Sequence, residues 1–318
     1  LLRDWDKPLR AFCDHWESAW LDVCFEEAGD FEVLVEALDG EGNVLASRAQ
    51  KVHVVNAALP AQTLIHTKWM HLDGICRIYH LTPFTEEFYA VFEKWVRLAV
   101  SRGINMILTP IHTPPLDTYV GGERMTAQLV DVWEENGQYR FGTEKLEDWF
   151  RRLRAWGVEY FEMAHLFSQW GAKCAPKIVS ADGRRLFGWD DASTGERYAA
   201  FVPQYVRAVV QAIDRAGVRD RCYFHISDEP SVDAQENYMR CKALVEKEIE
   251  GFPIMDALSD FSFYQTGAVG LPIPAVNHID PFIEAHVPNL WTYYCCGQYK
   301  AVTNMFIAMP SWRNRISG

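Results

Sequence analysis

From residue 31 the chain alternates apolar and polar positions through FEVLVEALDGEGNVLASRAQKVHVVNA, interrupted only at Asp39-Gly40 and Gly42-Asn43. Two alternating runs around such a turn predict a β-hairpin. One hairpin is too short for a whole sandwich, so residues 1–62 read as the C-terminal part of an antiparallel β-sandwich domain. After residue 63 the period changes. TLIHTKWMHLDG is a strand candidate, and TEEFYAVFEKWVRLAVSRG carries Phe88, Val91, Phe92, Trp95, Leu98 and Ala99 on one helical face. Thr85 is placed to cap that helix, Glu87 follows in its first turn, and Gly103 ends it.

The alternation of strand and helix then continues. INMILTPIHTPP is a continuous apolar strand, QLVDVWEENGQYRFG a hairpin insertion, and KLEDWFRRLRAWGV a helix before the strand EYFEMAHLF. The long helix RYAAFVPQYVRAVVQAIDRAG leads to CYFHISDEP, and FPIMDAL, IPAVNHID and NLWTYYCC supply further strands. Nearly continuous apolar strands alternating with helices predict a parallel sheet covered on both faces. This many repeats favours an α/β fold of the (β/α)8 TIM-barrel type over residues 63–318, ahead of an open doubly wound sheet. Seven strands are found, near 66–71, 104–109, 159–165, 222–227, 253–257, 273–279 and 289–295. A barrel closes with eight, so the expectation is a barrel domain lacking its last strand and truncated at its C-terminus.

Composition narrows the function. The 318 residues are 49% hydrophobic, enough for a large core, and carry 31 basic against 43 acidic side chains for a formal net charge of −12. An acidic chain without a basic stripe is a poor match for nucleic acid. Apolar runs are broken well short of a membrane span. No glycine-rich phosphate loop follows any strand, so no nucleotide or other cofactor is expected. The eight cysteines show no CxxC spacing and sit inside strand and helix patterns, as reduced structural thiols do. Those thiols and the lack of a signal peptide tilt an otherwise open location toward the cytoplasm, although the first residue is leucine.

In parallel barrels, sites form at the C-terminal strand ends. Here those ends carry Trp69, His71, His112, His165, His225, Asp228, Glu229, Tyr264, Trp291, Tyr293 and Tyr294. Flat aromatics among neutral donors and acceptors suit a carbohydrate pocket. The histidines could jointly hold a metal, but they come from different loops without an i, i+2 or i, i+4 pair, so no metal is expected. Asp228 and Glu229 are adjacent at a strand end and would face different edges of one sugar. Glycoside cleavage needs a proton donor for the leaving oxygen and support for the oxocarbenium ion. Vicinal carboxylates fit a substrate-assisted version, in which a 2-acetamido oxygen attacks C1.

The stretches WMH (69–71), RGINMILTPIHTPPLDT (102–118), GGER (121–124), LVDV (129–132), SDEP (227–230) and LWTYYCC (290–296) together resemble glycoside hydrolase family 123 and the broader domain family containing it. The resemblance implies a barrel preceded by a sandwich, with relatives continuing into a segment that supplies the last barrel strand. It also implies a retaining exo-β-N-acetylgalactosaminidase, cleaving a glycan with a terminal N-acetylhexosamine. By that resemblance Asp228 would hold the acetamido group and Glu229 would be the acid/base, while Trp69, His71, Tyr264, Trp291, Tyr293 and Tyr294 would touch the sugar. The alternatives are a glycosidase of the same fold on another sugar, or an inactive carbohydrate-binding barrel fragment.

Overall fold

A computed structural model describes residues 23–57, 62–116 and 118–293. It divides into two compact units, Leu1–Thr63 and Leu64–Gly318. In the first, β1 (Gly29–Leu38) pairs antiparallel with β2 (Val44–Val54), from Gly29 opposite Val54 to Leu38 opposite Val44. The turn is made by Asp39, whose carboxylate accepts the backbone N–H of Glu41 at 2.8 Å and of Asn43 at 2.9 Å; aspartate favours turns through such local bonds. Leu34, Val35, Leu38, Val44 and Leu45 are exposed on this ribbon.

The second unit opens with β3 (Thr67–Lys68), α1 (Leu72–Tyr79), α2 (Glu86–Ser101) and β4 (Met106–Thr109). Next come the hairpin β5 (Asp131–Glu135) and β6 (Gln138–Gly142), then α3 (Glu144–Ala155) and β7 (Tyr160–Met163). A second small hairpin, β8 (Ile178–Val179) and β9 (Arg185–Phe187), precedes α4 (Glu196–Ala216) and β10 (Cys222–Tyr223). The rest is α5 (Gln235–Val245), β11 (Met255–Ala257), α6 (Ser262–Gln265), β12 (Leu271–Ile273) and α7 (Asp280–Glu284).

The strands β3, β4, β7 and β10 are neighbours in one parallel sheet, and β11 pairs parallel with β12. Parallel bridges continue the run, joining Phe224 to Ile254 and Ala275 to Tyr293. The seven strand positions expected from the sequence therefore appear in chain order. Among the described residues no pairing returns Tyr293 to β3, so over these residues the sheets are not closed and the fold is mixed α/β.

The helices are amphipathic for the expected reason, but the buried stripe of α2 is rotated. Thr85 caps it, its Oγ1 accepting the Phe88 N–H at 3.3 Å. The buried residues are Phe88, Tyr89, Phe92, Val96 and Ala99, whereas Trp95 and Leu98, expected on the core face, are 44% and 55% exposed. The stripe follows α3, where Trp149 stacks on Phe92 with ring centroids 5.3 Å apart. Cys76 and Cys241 are unbridged and buried, and burial pushes both thiols up to about 11, which leaves them unreactive. Among the described residues no helix is long and apolar enough to cross a membrane.

Candidate functional site

The centre of the site is built from one side chain on each of several neighbouring parallel strands. Glu162 of β7 lies inside the sheet, 1% exposed, and accepts three hydrogen bonds. They come from the Thr67 hydroxyl of β3, from the Trp69 indole Nε1 at 2.7 Å and from His225 Nε2 at 2.7 Å. The other ring nitrogen of His225 faces Asp256 of β11 at 3.0 Å. Asp256, fully buried, also accepts the Tyr238 hydroxyl of α5 and the Ile226 N–H at 3.2 Å.

This bracketing sets the charge. Burial opposes a charged imidazole, but hydrogen bonds and the negative charges of Asp256 and Glu162 outweigh it and lift His225 to about 9. With a carboxylate against each nitrogen, both nitrogens donate. His165 stacks on this imidazolium with centroids 4.0 Å apart. Burial and the neighbouring charge of His225 hold His165 well below the ordinary histidine range, so it is neutral. Trp69 stands edge-on to both rings, 5.4 Å from His165 and 6.5 Å from His225.

The carboxylate pair follows His225 directly. The segment is tied to the one after β7: Leu166 N–H reaches the His225 carbonyl at 3.2 Å, Phe167 N–H that of Ile226 at 3.0 Å, and Trp170 N–H that of Asp228 at 2.7 Å. Ser227 Oγ donates to the Ser168 carbonyl at 2.8 Å and accepts the Ala172 N–H at 3.1 Å. Asp228 is 9% exposed, whereas Glu229 is exposed. The difference comes from the backbone: Glu229 has φ 42°, a left-handed conformation that a side chain larger than glycine rarely adopts. Its N–H is held by the Ala257 carbonyl at 2.9 Å, and the Tyr293 hydroxyl donates to its Oε1.

The expected contacts are sorted by this geometry. Trp69, His165, His225, Asp228, Glu229 and Tyr293 meet around the strand ends. His112, His165 and His225 are each 0% exposed, so they lie beneath the surface and not on it. His112 bonds the His165 carbonyl through Nε2 at 2.9 Å, and burial lowers it to about 4. His71 precedes α1 and faces a small cavity with Met70, Pro110 and Arg124. There Arg124 grips Asp73 with two bonds of 2.6 and 3.0 Å, which outweigh burial and hold the Asp73 carboxyl below its usual range. Tyr264 lies in α6, stacked on Phe261 at 6.0 Å. Trp291 packs on Tyr223 at 5.7 Å with the apolar cluster of Met106, Met255 and Ile273. Tyr294 lies outside the described residues. Glu162 and Asp256 belong to the strands β7 and β11, but nothing in their sequence spacing links them to one histidine. Trp170 carried no signal at all.

Among the described residues, His165, His225 and Asp256 bring donor atoms within 4.8 Å of one another, a spacing that could hold a cation. The donor set does not favour one. A metal ligand needs a ring lone pair, and both His225 nitrogens are protonated toward carboxylates.

Residues 69–318 match the catalytic domain of glycoside hydrolase 123. The fold resembles a family 123 glycoside hydrolase from Clostridium perfringens, solved to analyse glycolipid glycan hydrolysis, with a TM-score of 0.67 and 16% identity. The match covers 86% of this chain and 51% of that one, so the chain spans about half the length of this relative. A glycosyl hydrolase family 2 member from Bacteroides cellulosilyticus aligns at a TM-score of 0.28 and 8% identity, over 84% of this chain and 37% of its own. No curated protein matches the chain.

Proposed function

Because the chain belongs to glycoside hydrolase family 123, we propose that it is a glycosidase, specifically a retaining exo-β-N-acetylgalactosaminidase that uses the substrate's own acetamido group. The observation that carries this reading is the divergent pair. Asp228 is nearly buried, and Glu229 is swung into the open by its left-handed backbone with Tyr293 on one oxygen. A buried carboxylate suits a fixed partner, the acetamido N–H. An accessible one suits proton exchange with the leaving oxygen and then with water.

In the first step the acetamido oxygen attacks C1 and the C1–O bond to the leaving group breaks. Glu229 gives its proton to the departing oxygen, and Asp228 accepts a hydrogen bond from the N–H as positive charge develops in the oxazolinium ring. Tyr293 occupies Oε1 of Glu229, so Oε2 is the oxygen that delivers the proton. Water then attacks C1, Glu229 takes its proton, and the ring reopens with retained configuration. The open run of seven parallel strand positions is read as an arc of a (β/α)8 barrel, with the reaction at its C-terminal strand ends as that fold places it. A glycolipid glycan, the class of substrate studied for the Clostridium relative, is the one to try first, chosen to end in an N-acetylhexosamine.

The test is hydrolysis of 4-nitrophenyl β-N-acetylgalactosaminide beside its N-acetylglucosaminide and galactoside analogues, with Asp228→Asn and Glu229→Gln. Hydrolysis confined to acetamido sugars and lost in Asp228→Asn supports the reading. Glu229→Gln should retain more activity on these activated aryl substrates than on a disaccharide, because a good leaving group needs little protonation. Equal turnover of the plain galactoside would remove substrate assistance.

A further inference from the structure

We propose that His225 is a positioning residue: clamped between Glu162 and Asp256, its imidazolium holds both the Trp69 wall and the backbone that presents Asp228 and Glu229. The proposal rests on the glycosidase reading for its consequence in catalysis, but its geometry stands without it. Through Nε2, His225 fixes Glu162, whose same oxygen, Oε1, receives the Trp69 indole at 2.7 Å. Through Nδ1 it fixes Asp256, which accepts the Ile226 N–H at 3.2 Å and, at 3.5 Å, the Ser227 N–H. One buried cation thus connects the Trp69 indole, just after β3, to the chain one residue before the carboxylate pair.

Among the described residues, titratable groups from several elements surround His225, beside the edge-on Trp69 ring. Glu162 comes from β7, Asp256 from β11 and His165 from the segment after β7, with Tyr238 of α5 on Asp256 and His112 behind His165. Two carboxylates are buried here with this imidazolium between them, and a buried pair that loses one partner is left with uncompensated charge. If His225 loses a proton it keeps one N–H for two carboxylates. One of them then meets a ring lone pair and turns away, taking either the indole or the Ile226 N–H with it. Because the charges of both carboxylates sustain the proton, His225 gives it up at about pH 9. Replacing Glu162 with glutamine removes one charge but keeps the size and an acceptor oxygen for Trp69, so the proton should leave at lower pH.

The experiment uses the full chain labelled with 15N at histidine and tryptophan. The His225 ring and the Trp69 indole N–H, assigned with Trp69→Phe, are followed from about pH 6 to about pH 10, beside kcat/KM on the aryl glycoside. In the unsubstituted protein the Trp69 signal should titrate together with His225. In Glu162→Gln both should move down by about one pH unit or more, as loss of one charge-assisted partner implies. The alkaline limb of kcat/KM should move by the same amount while the acid limb stays. A Trp69 signal indifferent to His225, or a kinetic limb that stays while His225 moves, overturns the proposal. A protein that cleaves no glycoside sinks the glycosidase reading instead, and the coupling of the two signals still decides this one.

Discussion

Glu229 illustrates how much one backbone angle does. Its φ of 42° is unfavourable for a side chain of this size, and the Ala257 carbonyl and the Tyr293 hydroxyl are what hold it there. Removing the hydroxyl in Tyr293→Phe leaves the ring in the apolar cluster of Met106, Met255 and Ile273, so the fold should survive. The loss of one hydrogen bond to a charged group, worth roughly 1.5–3 kcal/mol, should lower kcat about tenfold or more with KM changed little. An unchanged kcat would show that Glu229 is oriented by its backbone alone. The sequence marks the Asp-Glu pair well, because a strand end and a proline bound it. It does not mark the bond from Tyr293, which joins residues 64 positions apart.

At the level of elements, the site depends on the segment after β7. Gly171 has φ 113°, and a Cβ there would lie 2.6 Å from the Ala234 side chain at the start of α5. Its neighbour Trp170 makes the bond to Asp228. Gly171→Ala should therefore cost more than about 1 kcal/mol, from strain at positive φ plus the clash. It should also depress activity beyond what the stability loss explains, read from denaturant midpoints and kcat/KM together. Full activity in that variant would mean the segment is not needed to seat Asp228. Element existence was legible from periodicity, since six of the seven expected strands recur with their helices and the seventh is marked by the bridge at Tyr293. The face of α2 was not, because Trp95 and Leu98 continue the apolar stripe while α3 covers only the Phe88, Phe92 and Val96 side.

Across the whole molecule, buried histidines bound the pH range of stability. His225 is raised to about 9, so relative to an unfolded histidine its contribution is complete below about pH 6.5 and is lost as pH rises through 9. His112 is lowered to about 4, so it works the other way. The unfolded chain gains a proton that the folded chain refuses, and stability falls between pH 6.5 and 4 by on the order of 3 kcal/mol. His165, held low by burial, acts in the same sense, so urea midpoints across pH should peak between the two limbs and His112→Gln should shrink the acid limb; an acid limb unchanged in that variant would assign it to His165 and the carboxylates. The sequence by itself determined the order of strands and helices and the family, because these are written in local period and short motifs. Only the tertiary structure decided that three of the strand-end histidines, His112, His165 and His225, are buried beneath the site, that Trp291 joins an apolar cluster, and that Glu162, His225 and Asp256 form one charge cluster. Those outcomes depend on how neighbouring strands are staggered. Stagger is set by packing between segments 31 and 63 residues apart, a distance over which no local pattern carries information.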